Sequence, residues 1–321
     1  MMEWIGLFMK QFLLPHLICP ACLPGEIPLE PNVKRLEGND IITGELFCKK
    51  CRQKFPIKDG IAILLPDPES YTTGGQLRYE ERETANRYLW SHYADLAGDV
   101  EVCESNAAWA RCLAEKTSSA FDAGCAVGRV TFEMASRSEW AVGCDLSLNF
   151  IRTARRLAHE RRCSFSLPLE GNLREAFQCE LPADWRFDNA EFVVANAMAI
   201  PFKKGTFHQI SSLNLIDRVS YPLAHLFEMN RVAQLRDARF LFADPFSWST
   251  TAAPEERWLG GTTTGKYAGR GIENVRQLLT GKDKILNPSW SIRGDGSISW
   301  AMRTHTNHRE LIRSEYVVAE R

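Results

Sequence analysis

Apolar residues in this chain follow two different periods. Short apolar runs at 119–124, 140–145, 191–196, 209–215 and 238–244 predict buried strands. Between the first of them, apolar positions recur at helical spacing and predict helices over about 129–136 and 147–161. Strand and helix in alternation predict a mainly parallel sheet covered by helices on both faces. Ahead of this block, Tyr79, Tyr88, Leu89, His92 and Tyr93 fall near helical spacing within 77–96, and a second helix fits 103–116. Behind it, 297–305 and 311–320 flank a turn at 306–309 and read as an antiparallel edge hairpin. The first 66 residues differ: a short strand around Phe55-Pro56-Ile57, a turn at Lys58-Asp59-Gly60, then an apolar strand ended by Pro66. Residues 67–76 have linker composition. The expected organisation is a small domain over 1–66, a linker over 67–76 and an α/β domain over 77–321.

Composition narrows the class without naming it. The 321 residues carry a formal net charge of −1, so bulk electrostatic binding of nucleic acid is not the organising force. With 45% hydrophobic residues the chain is not of disordered composition. No apolar run reaches the roughly 18 residues of a membrane span. Glu3 and Lys10 interrupt the apolar opening, and no small-residue cleavage site follows. A soluble, cytoplasmic protein with no membrane partner is expected.

Four of the ten cysteines are organised. Cys19 and Cys22 form one C-x2-C pair, and Cys48 and Cys51 form another. Two tight turns, each pointing two thiolates at one point, close the tetrahedron of a structural zinc site with no position left for water. Redox dithiols, the rival reading, want a strand–helix context that is absent here. The scattered remainder, Cys103, Cys112, Cys125, Cys144, Cys163 and Cys179, read as buried small hydrophobes. Residues 17–66, through both cysteine pairs, Phe55-Pro56-Ile57 and Asp59-Gly60-Ile61, resemble small zinc-ribbon proteins that serve as partners or activators of nucleic-acid and protein methyltransferases.

The most informative stretch is Phe121-Asp122-Ala123-Gly124-Cys125-Ala126-Val127-Gly128-Arg129. An apolar strand ends in a glycine turn that opens a helix, which sets backbone N–H groups at the carboxyl edge of the sheet. Gly124 and Gly128 would let a ligand approach the backbone. A second strand ends at Asp145-Leu146, where an acid can accept from both ribose hydroxyls, and a third at Asn196-Ala197, a further strand-end candidate for the same ligand. Dinucleotide enzymes need glycines at the first, third and sixth turn positions, but Ala126 and Arg129 stand at the last two. The pattern instead resembles S-adenosylmethionine (SAM) methyltransferases of class I, with a Rossmann-like sheet. The bland alternative leaves the glycines to packing and Asp145 to capping a helix.

From Tyr79 onward the chain resembles the methyltransferase half of the bifunctional enzymes of ovothiol biosynthesis, which methylate an imidazole nitrogen of a thiol-bearing histidine. Besides the glycine turn and the Tyr88-Leu89 and His92-Tyr93 pairs, Asn214-Leu215-Ile216, Asp244-Pro245-Phe246-Ser247-Trp248 and Trp258-Leu259-Gly260-Gly261 carry the likeness. Those enzymes have an iron-dependent sulfur-transfer region where this chain has a ribbon. The resemblance implies SAM as cofactor, Asn214 in its site, and a small-molecule substrate, an imidazole- or thiol-containing amino acid derivative. An RNA or protein substrate guided by the ribbon is the alternative, and an inactive zinc-dependent scaffold is the second.

Around the reacting carbon, Tyr93 is the candidate cover for the methionine end, set against an interface tyrosine. His92 is the candidate base, set against a packed histidine. Trp248 is placed to stack on a flat heterocycle, and Trp258 to form a lid or wall. Arg303 and His305 are offered for a substrate carboxylate. The basic run Arg152, Arg155, Arg156, Arg161 and Arg162 reads as a solvated helix face rather than an RNA contact.

Overall fold

The computed structural model describes residues 8–67, 74–99, 104–282 and 284–321. Most of the expected linker, Cys103 and the start of the second expected helix lie outside these residues. Five strands come first: β1 (Met9–Lys10), β2 (Leu29–Glu37), β3 (Asp40–Cys48), β4 (Lys54–Lys58) and β5 (Ile61–Leu64). Two helices follow, α1 (Arg82–Tyr93) and α2 (Ser105–Cys112). The alternating block is β6 (Thr117–Ala123), α3 (Arg129–Ala135), β7 (Ser138–Asp145) and α4 (Leu148–Glu160). Then come β8 (Arg162–Glu170), β9 (Leu173–Glu180), β10 (Ala190–Ala195), β11 (Gln209–Leu213), α5 (Pro222–Val232) and β12 (Arg239–Asp244). Helix α6 (Gly271–Leu279) and the strands β13 (Ser291–His305) and β14 (His308–Glu320) close the chain.

Among the described residues, twelve strands form one sheet in the order β1-β3-β4-β5-β10-β7-β6-β11-β12-β14-β13, with β2 outside β3. From β5 to β12 every pairing is parallel, and β14 and β13 are antiparallel. This is the Rossmann-like architecture expected from the sequence, mostly parallel with an antiparallel carboxyl-terminal hairpin. The hairpin is longer than its sequence pattern announces, and β14 lies inside the sheet, leaving only β13 at the edge.

The ribbon is not a bead on a linker. Its last strand, β5, pairs parallel with β10, Ile63 opposite Val194 and Leu64 opposite Ala195. Its apolar side joins the main core, where Leu13, Leu46, Phe55 and Leu64 belong to one cluster with Phe121, Val142 and Phe202. At the seam Lys10 N donates to Glu191 Oε2 at 2.7 Å, and Arg155 Nη2 donates to Glu191 Oε1. Arg155 is therefore buried, which corrects its place on a solvated face; Arg152 on the same helix remains exposed.

Two local elements also differ from expectation. The helix expected over 77–96 splits into a 3-10 turn at Gly74–Glu80 and α1. The chain bends because the Tyr79 carbonyl accepts from Ser147 Oγ and Asn149 Nδ2 rather than from its own helix. The β8–β9 hairpin was not anticipated, although Cys163, Phe165 and Leu167 alternate with exposed or half-buried neighbours at period two.

Candidate functional site

The cysteine pairs meet as their spacing predicts. Turns after Cys19 and Cys48 bring the sulfurs of Cys19, Cys22, Cys48 and Cys51 within 4.8 Å of one another. Cys19 and Cys51 are 3.5 Å apart, and Cys22 and Cys48 3.7 Å. A tetrahedron with Zn–S bonds of about 2.3 Å has edges of about 3.8 Å, so the donor set and its dimensions fit zinc. All four protein positions are filled by sulfur, which makes the centre structural.

The second site lies where β6 ends between β7 and β11, the point at which the chain order of the sheet reverses. The turn out of β6 is strained in a way only certain residues tolerate. Gly124 and Gly128 have φ of 71° and 88°, and Ala126 also has positive φ, at 46°. The glycines serve the protein as well as any ligand. A Cβ on Gly128 would meet Ala154 and Phe192 at 3.0 Å, so this position allows α3 to pack on α4 and β10. A Cβ on Gly124 would meet the Leu215 side chain at 3.0 Å, so Leu215 stands over that part of the crevice.

Asp145 anchors the turn from the neighbouring strand end. Its Oδ2 accepts from Ala126 N at 3.0 Å and its Oδ1 from Ser147 N at 2.8 Å. The side chain is half-buried, and a carboxylate has lone pairs beyond these two bonds. Burial pushes its carboxyl up to about 6 against the pull of the two N–H donors. Leu146 follows, half-buried, on the way into α4. Asp122 is placed differently: it is buried, with Oδ2 accepting from Thr131 Oγ1 at 2.8 Å and Oδ1 from Ser211 Oγ at 2.6 Å. Its oxygens tie β6 to α3 and β11 and are spent inside the sheet. Cys125 and Ala126 are buried beneath the cap formed by α1.

That cap carries orphaned polar atoms. Glu80 Oε2 accepts from Asn149 N at 3.1 Å, while Glu80 Oε1 is buried without a hydrogen-bond partner. His92 Nδ1 is likewise buried and unpartnered. Burial, with the positive Arg129 nearby, takes the His92 ring down to about 3, so it is neutral at physiological pH. Buried polar atoms of folded proteins normally find partners, so these two are the donor and acceptor positions on the cap that a bound adenosine sulfonium would satisfy. Tyr93 is fully buried and its hydroxyl donates to Val127 O at 2.9 Å, tying the turn to the cap.

The third strand end is held by a residue that sequence reasoning missed. Asn196 Oδ1 accepts from Met198 N at 2.9 Å, and the Ala197 carbonyl lies 3.0 Å from His225 Nδ1. His225 Nε2 lies 2.8 Å from Ser212 Oγ, and burial keeps the ring neutral, with a pKa of about 4. The neutral ring thus clamps the Asn196-Ala197 loop to β11, and nothing in the sequence distinguishes a lone histidine on a helix as such a clamp. Asn214 has φ of 56° and its Oδ1 accepts from Ser314 Oγ at 2.5 Å, which ties it to the hairpin.

Beyond β12 lies a wall of aromatic rings. Trp248 and Trp258 are near-parallel, 14° apart with centroids at 6.1 Å, and Phe246 lies 6.0 Å from Trp248. The Trp248 Nε1 is buried and has no hydrogen-bond partner. At its foot Asp244 Oδ1 accepts from Phe246 N at 2.7 Å and Asp217 Oδ2 from Ser247 N at 3.0 Å. Burial and the neighbouring Asp217 charge hold the Asp244 carboxyl well above its usual range. Arg303 does not face this wall; it is buried, bonded to Glu175 Oε2 at 2.5 Å.

Comparison with known proteins finds matches for both regions of the chain. A family model described as Trm112p-like protein matches residues 10–60, and a methyltransferase domain model matches 121–236. No curated protein matches the chain. Among solved structures, a SAM-dependent methyltransferase of Methanosarcina mazei is 17% identical over 66% of this chain and 95% of its own, with a TM-score of 0.40. The magnesium protoporphyrin IX methyltransferase of Synechocystis, solved with bound S-adenosylhomocysteine, is 14% identical over 78% and 88%, with a TM-score of 0.39. A chain from the complex of the Haloferax volcanii Trm112 methyltransferase activator with a candidate methyltransferase is 13% identical over 73% and 96%, with a TM-score of 0.40.

Proposed function

We propose that this SAM-dependent methyltransferase, a class I domain joined to a Trm112-like zinc ribbon, methylates a small molecule, an imidazole- or thiol-containing amino acid derivative. The observation that carries the reading is the aromatic wall. Flat rings at the carboxyl edge of an open α/β sheet suit a planar heterocycle.

SAM, when bound, supplies an electrophilic methyl carbon on a sulfonium. Asp145 would hold the ribose hydroxyls, the Asn196-Ala197 loop the adenine edge, and the backbone of the 124–128 turn the remainder. Alignment of two reactants contributes up to about 7–11 kcal/mol of a barrier, and a rigid turn and a rigid wall are what alignment needs. An acceptor that loses a proton needs somewhere to send it. His92, neutral down to about pH 3, is a weak recipient.

A macromolecular acceptor is the second reading, and the ribbon match over residues 10–60 is what favours it. One experiment separates the two. Label from methyl-labelled SAM, incubated with the protein and a cell extract, is expected in the small-molecule fraction. Label confined to RNA or protein would transfer the proposal to the second reading. Absence of any thermal stabilisation by excess SAM would remove both.

A further inference from the structure

Strands β8 and β9 form a separate two-stranded sheet whose register sets Cys163 directly opposite Cys179. Leu181 N donates to Arg161 O at 3.0 Å. Two residues along each strand, the cysteines therefore occupy a pair of the hydrogen-bonded kind, with Cα atoms about 5.5 Å apart. That Cα separation lies within the range that disulfides bridge. Both side chains share the inward face, where the next pair, Phe165 and Phe177, stacks with planes 8° apart. Cys163 is buried and Cys179 half-buried, so one thiol is reachable and the other lies behind it. A hydrogen bond from Cys163 brings the Cys179 thiol below its ordinary range, so the resting thiol is in exchange with a larger fraction of reactive thiolate.

The pair is wired to the cofactor turn. Cys179 Sγ donates to the Tyr93 carbonyl at 3.7 Å, and the Tyr93 hydroxyl donates to Val127 O at 2.9 Å. We propose that Cys163 and Cys179 are a redox-active dithiol that a hydroperoxide closes to a disulfide, and that closure loosens the cofactor turn through Tyr93. The Cys179 thiolate attacks the O–O bond and keeps one oxygen as a sulfenic acid, while the other leaves as water or an alcohol. The Cys163 sulfur then attacks the sulfenic sulfur, the S–S bond forms, and the hydroxyl leaves with the Cys163 proton as water. With hydrogen peroxide, two thiols are oxidised and the peroxide is reduced to two waters. The disulfide has no S–H, so the bond to the Tyr93 carbonyl is lost. The coupling rests on the methyltransferase reading of the turn; the dithiol does not.

The test uses the full-length, zinc-loaded protein titrated with hydrogen peroxide. Alkylation and peptide mass spectrometry follow the cross-link, metal analysis follows zinc, and calorimetry follows SAM affinity. A 163–179 cross-link is expected at peroxide levels that leave zinc in place. SAM affinity is expected to fall about three- to tenfold, the scale of one lost hydrogen bond, and to recover with dithiothreitol. Cys179→Ser and, separately, Cys163→Ala should abolish both changes. Loss of zinc before any cross-link forms would overturn the dithiol on the unmodified protein alone. A complete cross-link with unchanged SAM affinity would overturn the coupling. Reduced protein that binds no SAM would sink the cofactor reading, and with it the coupling, while cross-link yield still judges the dithiol.

Discussion

At the seam between ribbon and sheet, Glu191 gives both carboxylate oxygens to donors: Arg155 Nη2 and Phe192 N to one, Lys10 N to the other. At the crevice, 191's counterpart on the cap, Glu80, leaves one oxygen buried and unpartnered, and so does His92 Nδ1. Both regions bury polar groups beside the same parallel sheet. A buried group that is satisfied holds a fold together, whereas one without a partner is free to take one from a bound ligand.

The largest test of this contrast is at the ribbon. Structural zinc contributes on the order of 10–16 kcal/mol in small zinc domains. Because the cluster shares a core with β6 and β7, removing zinc by chelation, or by Cys48→Ser, should lower the melting temperature of the whole molecule. Metal analysis should find about one zinc per chain. A ribbon that melts separately, leaving the methyltransferase transition unmoved, would break the idea of a single structural unit.

Next comes the seam itself. Glu191→Ala leaves Arg155 buried without its carboxylate, and breaking a buried pair in this way costs about 3–5 kcal/mol. Denaturant titration should show that loss in one transition, with SAM affinity changed far less than stability. At the crevice the balance should invert. Asp145→Ala should weaken SAM binding about tenfold to a hundredfold, the scale of hydrogen bonds to a charged group, with a smaller loss of stability. Unchanged calorimetric affinity would mean that the ribose contact is misassigned.

The smallest expected effect is on pH dependence. A carboxyl whose folded pKa is raised to about 6 binds its proton more tightly in the fold than in the unfolded chain. Its contribution to stability is therefore lost as pH rises from about 4 to about 6. Measured against Asp145→Asn, the wild-type protein without SAM should lose stability across that window. SAM affinity should rise over the same window, because the charged carboxylate is the better acceptor for hydroxyls. Parallel slopes would show that Asp145 does not meet the ligand.

Much of both sites was legible because the signals are local. The C-x2-C pairs sit on turns of a few residues, and Asp122, Asp145 and Asn196 are recognisable as strand ends from the apolar runs before them. Their roles then divided. Asp145 remains half-open at the edge, but Asp122 is consumed by Thr131 and Ser211, because β11 comes to lie beside β6. Tyr93 and Trp248 lie in one molecule's cap and wall, yet only Trp248 keeps an unpartnered polar atom. His225 carried no sequence signal, since its partners are Ser212 and Ala197, 13 and 28 positions away.

The order of apolar and polar residues by itself determined an alternating α/β chain, a tetrathiolate metal centre and a glycine turn at a strand end. These depend on contacts within a few residues, where period and spacing act directly. Tertiary structure alone decided that β5 joins β10, that Arg155 is buried, and that Cys163 faces Cys179. The first two join segments far apart in the chain and the third depends on the register of a hairpin, so the free energy that selects each pairing belongs to the assembled structure rather than to one segment.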